Sequence, residues 1–392
     1  MTARADAGRR CPVCTSAQTE VVLERSGFPV MQNAVYRDRT EAQAAPRGDI
    51  RLAVCRTCGF VFNAAFDGER VAYGIGYDNA IPDSPAFRAH LERRSDVVAE
   101  AVSSNAQVVD VGCGDGAFLK AIVERRPSII GIGIDAAYAG PLTHGDRLRF
   151  ERRFFGGSAE SVGADALVCR HVIEHLPDPL EFLRAVHAGL VARSPRARVF
   201  FETPALEWIL EQGAIWDVFY EHCNYFSEGA LRRLFTQAGF TLTRMERVFD
   251  RQYHWIEATV GVPSAGVQSD GAPIATAMRA FGAYEQQARS ALFERLTAAA
   301  NDGPVALWGA AAKGVTLANL VDPGGELLLG VVDRNTAKQG CYLPVSGHRV
   351  LAPAALAECD VALVLVANPQ YVEENRQLAR ALGARTRVEA LH

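Results

Sequence analysis

The run Val108-Val-Asp-Val-Gly-Cys-Gly-Asp-Gly-Ala-Phe-Leu119 leaves the chain few choices of fold. β-favouring residues lead into glycines at 112, 114 and 116, and an amphipathic stretch with Phe118, Leu119, Ile122 and Val123 follows at once. The pattern predicts a strand, a tight turn and a helix start. Glycines admit positive φ and close approach of a ligand, and a helix N-terminus presents N–H groups that have no partner within the helix. About twenty residues further on, Ile130-Gly-Ile-Gly-Ile-Asp135 reads as a second strand ending in a carboxylate, where a ribose is held by its two hydroxyls.

A dinucleotide fold answers the same description, so the glycines alone do not decide. The run Asp-Val-Gly-Cys-Gly-Asp-Gly resembles motif I of class I S-adenosylmethionine (SAM) methyltransferases, where an acidic strand end precedes Gly-x-Gly-x-Gly. That resemblance implies SAM as cofactor, held around Asp110, Gly112, Gly114 and Asp135. A nucleotide fold without SAM is the competing reading.

A length of 392 residues predicts two or three domains. With 49% hydrophobic and 22% charged residues, the composition is that of a globular chain, and a formal charge of −4 argues against a nucleic-acid substrate. The N-terminus is polar and basic, and no apolar run is long enough to span a bilayer, so the expectation is a cytoplasmic protein with no membrane partner. Nine cysteines then point to reduced, buried or metal-bound thiols rather than disulfides.

Two knuckles, Cys11-Pro-Val-Cys14 and Cys55-Arg-Thr-Cys58, supply four thiolates that can meet around a structural Zn²⁺ and hold together a small β-rich lobe. A redox role competes, but neither pair sits at the strand-to-helix junction of a thioredoxin-like unit. An aromatic and glycine-rich stretch, Tyr73-Gly-Ile-Gly-Tyr77, reads either as a loop over the site or as an interdomain linker. His171-Val-Ile-Glu-His175 matches an inverted zinc-protease string. Its place directly after the strand 164–169, with Pro177 and Pro179 close behind, makes it a strand-end turn opening a helix instead. It resembles motif IV of SAM methyltransferases, which implies a place for His171 beside the methyl donor.

After the strand 197–204 comes Trp216-Asp-Val-Phe-Tyr-Glu-His-Cys-Asn-Tyr-Phe226, where open α/β sheets place ligands. His222 is the candidate general base, and Glu221 or Tyr220 is placed to orient it or to donate to a substrate oxygen. A histidine that only satisfies a core hydrogen bond is the alternative. A Ser/Gly/Pro-rich break at 263–273 precedes a long helix over 275–300, with apolar positions 277, 281, 288, 292 and 296. Pro304 to Thr316 then repeats the strand, glycine turn and helix, followed by strands ending at Asp333 and Asn368. Its turn, Gly309-x-Ala311-x-x-Gly314, departs from the dinucleotide fingerprint, because a middle alanine impedes close approach of a pyrophosphate. Lys313, Arg334 and Lys338 are the candidates for holding substrate phosphates; three solvated basic side chains are the alternative.

Taken together, the two knuckles, the SAM-type sheet, the Tyr-Glu-His-x-x-Tyr-Phe segment and the C-terminal Gly-Ala-x-x-Lys-Gly…Val-Asp-Arg-Asn unit resemble the nucleotide-sugar C-methyltransferases of deoxysugar biosynthesis. The resemblance implies an α/β protein: a class I SAM methyltransferase (Rossmann-like) core, a small N-terminal zinc-binding lobe and a smaller C-terminal Rossmann-like domain. The expected divisions are a lobe at 1–75, a methyltransferase domain at 76–262, a linker and long helix at 263–300, and the C-terminal domain at 301–392. It further implies zinc at Cys11, Cys14, Cys55 and Cys58, a nucleotide-sugar between the central and C-terminal domains, and proton abstraction by the Tyr220-Glu221-His222 segment with Tyr77. A monomer or homodimer is expected. Oxygen or nitrogen methylation of another small molecule, and a non-catalytic SAM- or nucleotide-binding scaffold, stay open.

Overall fold

A computed structural model describes residues 9–71, 84–156, 163–264 and 271–391. Tyr77, together with the glycine-rich stretch around it, lies outside the described residues. The two knuckles bracket an antiparallel unit of β1 (Thr19–Pro29), a short helix α1 (Arg39–Gln43), β2 (Arg47–Cys55) and β3 (Val61–Asn63). Asp38 starts α1 by accepting the Glu41 N–H. The four cysteines come together because β2 ends at Cys55 against Thr19 of β1, which places the second knuckle beside the first.

Helix α2 (Pro85–Ala101) leads into the central sheet. Its elements are β4 (Gln107–Val111), α3 (Ala117–Arg125), β5 (Ile130–Ile134), β6 (Thr143–His144), β7 (Leu148–Glu151), β8 (Ala166–Arg170), α4 (Pro179–Arg193) and β9 (Arg198–Pro204). There follow α5 (Leu206–Glu211), β10 (Asn224–Tyr225), α6 (Glu228–Ala238), β11 (Phe240–Val248) and β12 (Tyr253–Val260). The eight-stranded order is β11-β12-β9-β8-β4-β5-β7-β6, with β9, β8, β4, β5 and β7 parallel. The near-continuous apolar runs of β4 and β8 follow from burial on both faces. The closing antiparallel pair is β11 and β12. Strand β10 does not join this sheet. It pairs with β3 and becomes the fourth strand of the N-terminal sheet.

The long helix α7 (Ala272–Ala299) buries Ala275, Met278, Phe281, Glu285, Ala288, Leu292, Leu296 and Ala299. The seam thus runs through 278 rather than 277 and includes a carboxylate. Arg25 of β1 explains it: its guanidinium meets Glu285 at 2.9 Å and donates to the carbonyls of Ile215 and Val218. Beyond α7 come β13 (Val305–Trp308), α8 (Ala312–Val321), β14 (Leu328–Val332), β15 (Val350–Leu351), α9 (Ala355–Glu358), β16 (Leu363–Val366), α10 (Val372–Ala381) and β17 (Arg387–Ala390). They form a parallel sheet of order β15-β14-β13-β16-β17. Among the described residues no helix is long and apolar enough to cross a membrane.

Candidate active site

The turn after β4 takes the form its glycines allow. Gly112, Gly114 and Gly116 have φ of 70°, 55° and 77°, values that L side chains rarely adopt. Asp135, at the end of β5, accepts the Gly114 N–H at 2.9 Å and the Ala137 N–H at 2.7 Å, and each oxygen keeps a second lone pair for a hydroxyl. A Cβ on Gly114 would meet nothing within 4 Å, and α3 begins at Gly116 without a side-chain cap. Open space at Gly114, an acceptor carboxylate and uncapped helix N–H groups fit the adenosine and carboxylate ends of SAM. Asp110 lies beneath the turn, with burial pushing its carboxyl up to about 7 against the pull of Arg170.

The same device recurs in the C-terminal sheet. Asp333, at the end of β14, accepts the Ala310 N–H at 2.6 Å and the Asn335 N–H at 2.7 Å, and α8 likewise starts without a side-chain cap. Gly314 packs against the Gly309 carbonyl, where a Cβ would clash.

Between the strand ends of the two sheets lies a cavity of about 300 Å³. One wall carries His171, Glu174, His175, Glu221 and His222; the opposite wall carries Asp333, Arg334, Lys338 and the start of α8. His222 is held neutral: burial pushes its pKa well below the usual range, and the positive charges of His171 and Lys313 act in the same direction. His175 donates from Nδ1 to the Glu221 carbonyl at 2.9 Å, and its ring meets His222 edge-on with centroids 4.8 Å apart. Glu221 accepts the Gln32 N–H at 2.9 Å, which fixes its carboxylate.

Tyr220 stands elsewhere. Its hydroxyl accepts the Asp67 N–H at 3.0 Å and donates to the Asp67 carbonyl at 3.3 Å, and its ring fills the space over Gly48. Because side chains of neighbouring residues in an irregular segment need not share a face, Tyr220 anchors the segment while Glu221 and His222 face the cavity.

His171 has φ 54° and is held by a buried carboxylate. Glu202, at the end of β9, takes His171 Nε2 at 2.9 Å, His90 Nε2 at 2.8 Å and Arg170 at 2.8 Å. Burial lowers the His171 pKa, yet the hydrogen bonds with Glu174 and Glu202 outweigh it and raise it to about 9, so the ring is cationic at neutral pH. The Glu202 group, Glu174 and His175 were not singled out from sequence as site residues. The strand-end carboxylate and the H-x-x-E-H string were the signals, and the string indeed folds as a 3₁₀ turn, Ile173–His175, before α4.

The three basic candidates all line the cavity, each already engaged. Lys313 meets Asp217 at 2.7 Å, Gln252 at 3.3 Å and the Trp208 ring at 4.6 Å. Arg334 reaches Glu374 at 3.4 Å. Lys338 is 4% exposed and donates to the Ala310 carbonyl at 3.1 Å. An ammonium beside an uncapped helix start favours an anion.

The four cysteine sulfurs lie within 4.8 Å of one another, with Cys11–Cys58 at 3.7 Å and Cys14–Cys55 at 3.5 Å. A tetrahedral zinc tetrathiolate has sulfur–sulfur edges of about 3.8 Å, so the cluster fits that ion.

A family model described as a methyltransferase domain matches residues 86–244, and one described as a C-methyltransferase C-terminal domain matches residues 268–385. C-methyltransferase NovU from Streptomyces niveus is 24% identical over 391 residues, covering 94% of this chain and 92% of that protein. The ubiquinone biosynthesis O-methyltransferase of Vibrio parahaemolyticus serotype O3:K6 is 31% identical over 104 residues, covering 25% of this chain and 43% of its own length. Among solved structures, CalO1, a methyltransferase in calicheamicin biosynthesis in its SAH-bound form, aligns at 17% identity and TM-score 0.35, covering 45% of this chain and 55% of that one. With its motif I turn, its central methyltransferase match and a C-terminal unit similar to the C-methyltransferase C-terminal domain, the chain is a SAM-dependent methyltransferase.

Proposed function

We propose that the protein methylates the carbon next to the carbonyl of a nucleotide-linked keto-deoxysugar, with His222 as the base. The observation that supports this reading most is the cavity itself, which sets a neutral buried imidazole on one wall and a Rossmann-type anion site on the other. The C3–H of a 4-keto sugar is acidified by the adjacent carbonyl, so a positioned base can remove it. His222 is uncharged throughout the neutral range and is therefore competent to accept that proton. The His171 imidazolium and the Lys313 ammonium oppose charging of His222 but favour the enolate; the transfer makes one charge of each sign. SAM, when bound, supplies the methyl group in an already activated form.

On the opposite wall Lys338 and the start of α8 hold the diphosphate, and Asp333 offers the acceptor pattern that Asp135 offers SAM. Arg334, pinned by Glu374, borders the same wall. The four-cysteine cluster, with zinc bound, braces the lobe whose Gln32 orients Glu221. Tyr77 is proposed to complete the site.

The decisive experiment is mass spectrometry of a thymidine-diphosphate 4-keto-6-deoxy sugar incubated in D₂O, with and without SAM. Deuterium uptake at C3 without SAM and a carbon-bound methyl with it are expected. His222→Asn is expected to abolish both while leaving SAM affinity nearly unchanged. A new methyl on oxygen or nitrogen, without exchange at carbon, would overturn the carbanion mechanism.

A further inference from the structure

The residues around His222 make a second use of the site possible. Glu174, His175 and His222 each offer one ligand atom, and the three atoms lie within 4.8 Å of one another. Two imidazoles and one carboxylate with a remaining position open to a cavity is the donor set of catalytic-type sites for zinc and its neighbours. His175 hydrogen-bonds the Glu221 carbonyl through Nδ1, which fixes the tautomer with its lone pair on Nε2; metal-bound histidines are oriented in this way. Glu174 is 1% exposed, and its Oε2 accepts from Thr203 at 3.0 Å. Its Oε1 has His171 Nδ1 at 3.5 Å and no closer hydrogen-bond partner among the described residues. A buried carboxylate oxygen on a cavity wall, held by one long ion pair, keeps a lone pair for a further cation.

The two segments that carry the three residues are tied together. Asn224 donates to the Leu176 carbonyl at 2.6 Å, and Cys223 lies against the Glu174 carbonyl at 3.5 Å. The cluster is therefore held together by the fold, its ligand atoms within 4.8 Å of one another against the edge of about 3.4 Å of a tetrahedral nitrogen and oxygen site. The set differs from the one the H-x-x-E-H string suggests, because His171 is committed to Glu202 and His222 takes its place from a distant segment.

We propose that Glu174, His175 and His222 bind one divalent cation of the zinc, cobalt and nickel class, and that this cation and methyl transfer exclude one another. Coordination takes the His222 lone pair that deprotonation needs, so the bound cation silences the enzyme. The exclusion rests on the reading of His222 as the base, whereas the binding does not.

The test titrates Co²⁺ into the full-length protein whose cysteine cluster has first been saturated with zinc. One Co²⁺ per chain is expected, with visible bands of nitrogen and oxygen coordination and none of the thiolate charge-transfer bands that displacement of the cysteine-bound zinc would give. Turnover falls along the same curve and returns on dialysis. His175→Asn, whose amide keeps a donor toward the Glu221 carbonyl, and Glu174→Gln are each expected to weaken Co²⁺ at least about tenfold, since losing a ligand costs no less than losing an outer partner. Zinc content and circular dichroism establish that each variant is folded. Absence of the bands, or bands unchanged in both variants, overturns the site; turnover that holds or rises at saturation overturns the exclusion. Loss of the sugar assignment shows separately, as no deuterium exchange in cobalt-free protein while the cobalt bands persist.

Discussion

Tyr220, Glu221 and His222 are consecutive, yet only the last two meet the cavity, and that difference can be measured. Tyr220→Phe removes a hydroxyl bonded only to the backbone of Asp67, so it is expected to cost about 1 kcal/mol of stability in a denaturant titration. Deuterium exchange into the sugar is unchanged; loss of exchange in a folded variant would return Tyr220 to the chemistry. Lys338→Met replaces a buried ammonium by a chain of similar length. The expected result is a KM for the nucleotide-sugar raised about tenfold to a hundredfold with kcat little changed, because a charge-assisted hydrogen bond is worth about 1.5–3 kcal/mol in both ground and transition states. A lowered kcat at unchanged KM would move Lys338 from binding to catalysis. Asp322 gives a pH-dependent case. Burial raises its pKa, but His348 and the N–H groups of Glu326 and Leu328 outweigh this and hold it well below the usual carboxylate range. Its contribution is present above the unfolded carboxylate pKa and disappears as pH falls through that value towards the folded one. Asp322→Asn should lower stability at pH 7 by roughly 2 kcal/mol and flatten the acid side of the stability curve.

Helix α7 shows how a local element can govern a distant site. Its Glu285 holds Arg25 of β1, and the same guanidinium grips the carbonyls of Ile215 and Val218 just ahead of the segment Tyr220–His222 that borders the cavity. Arg25→Met leaves Glu285 buried without a partner and is expected to cost about 3–5 kcal/mol, read from thermal or denaturant unfolding. The double change Arg25→Met with Glu285→Leu should recover most of it; no recovery would mean that the carbonyl contacts dominate. The periodicity of α7 was legible because one face packs along its length, but Glu285 was invisible as a core residue since its partner lies far away in sequence. Strands β4, β5 and β13 and their turns were equally legible, because glycine placement and apolar runs are local properties. The grouping of His90, Arg170 and His171 on Glu202 was not, since it depends on which strands become neighbours.

The whole molecule is a cavity closed by strand ends from two sheets, with the cysteine lobe as the third support. Gln252 donates to Asn368 at 2.9 Å and Gln370 to Asp250 at 2.7 Å, so the turn between β11 and β12 is fastened to the C-terminal unit. That fastening, and the arrangement of three supports around one site, could not be read from spacing. With zinc on the cysteine cluster as proposed, a strong chelator is expected to abolish turnover while SAM binding, measured by calorimetry, persists, since Gln32 and Tyr220 link the lobe to the segment 220–222 and the motif I turn lies apart. Loss of both together would place the lobe under the entire fold. The exchange of β10 into the lobe bears on birth as well as on function. On the ribosome the two knuckles emerge before the central sheet, yet the fourth strand of their sheet arrives only after most of the central sheet has been made. The lobe is therefore begun before the central sheet and finished after most of it, and β3 waits as an open edge for a strand from much further along the chain.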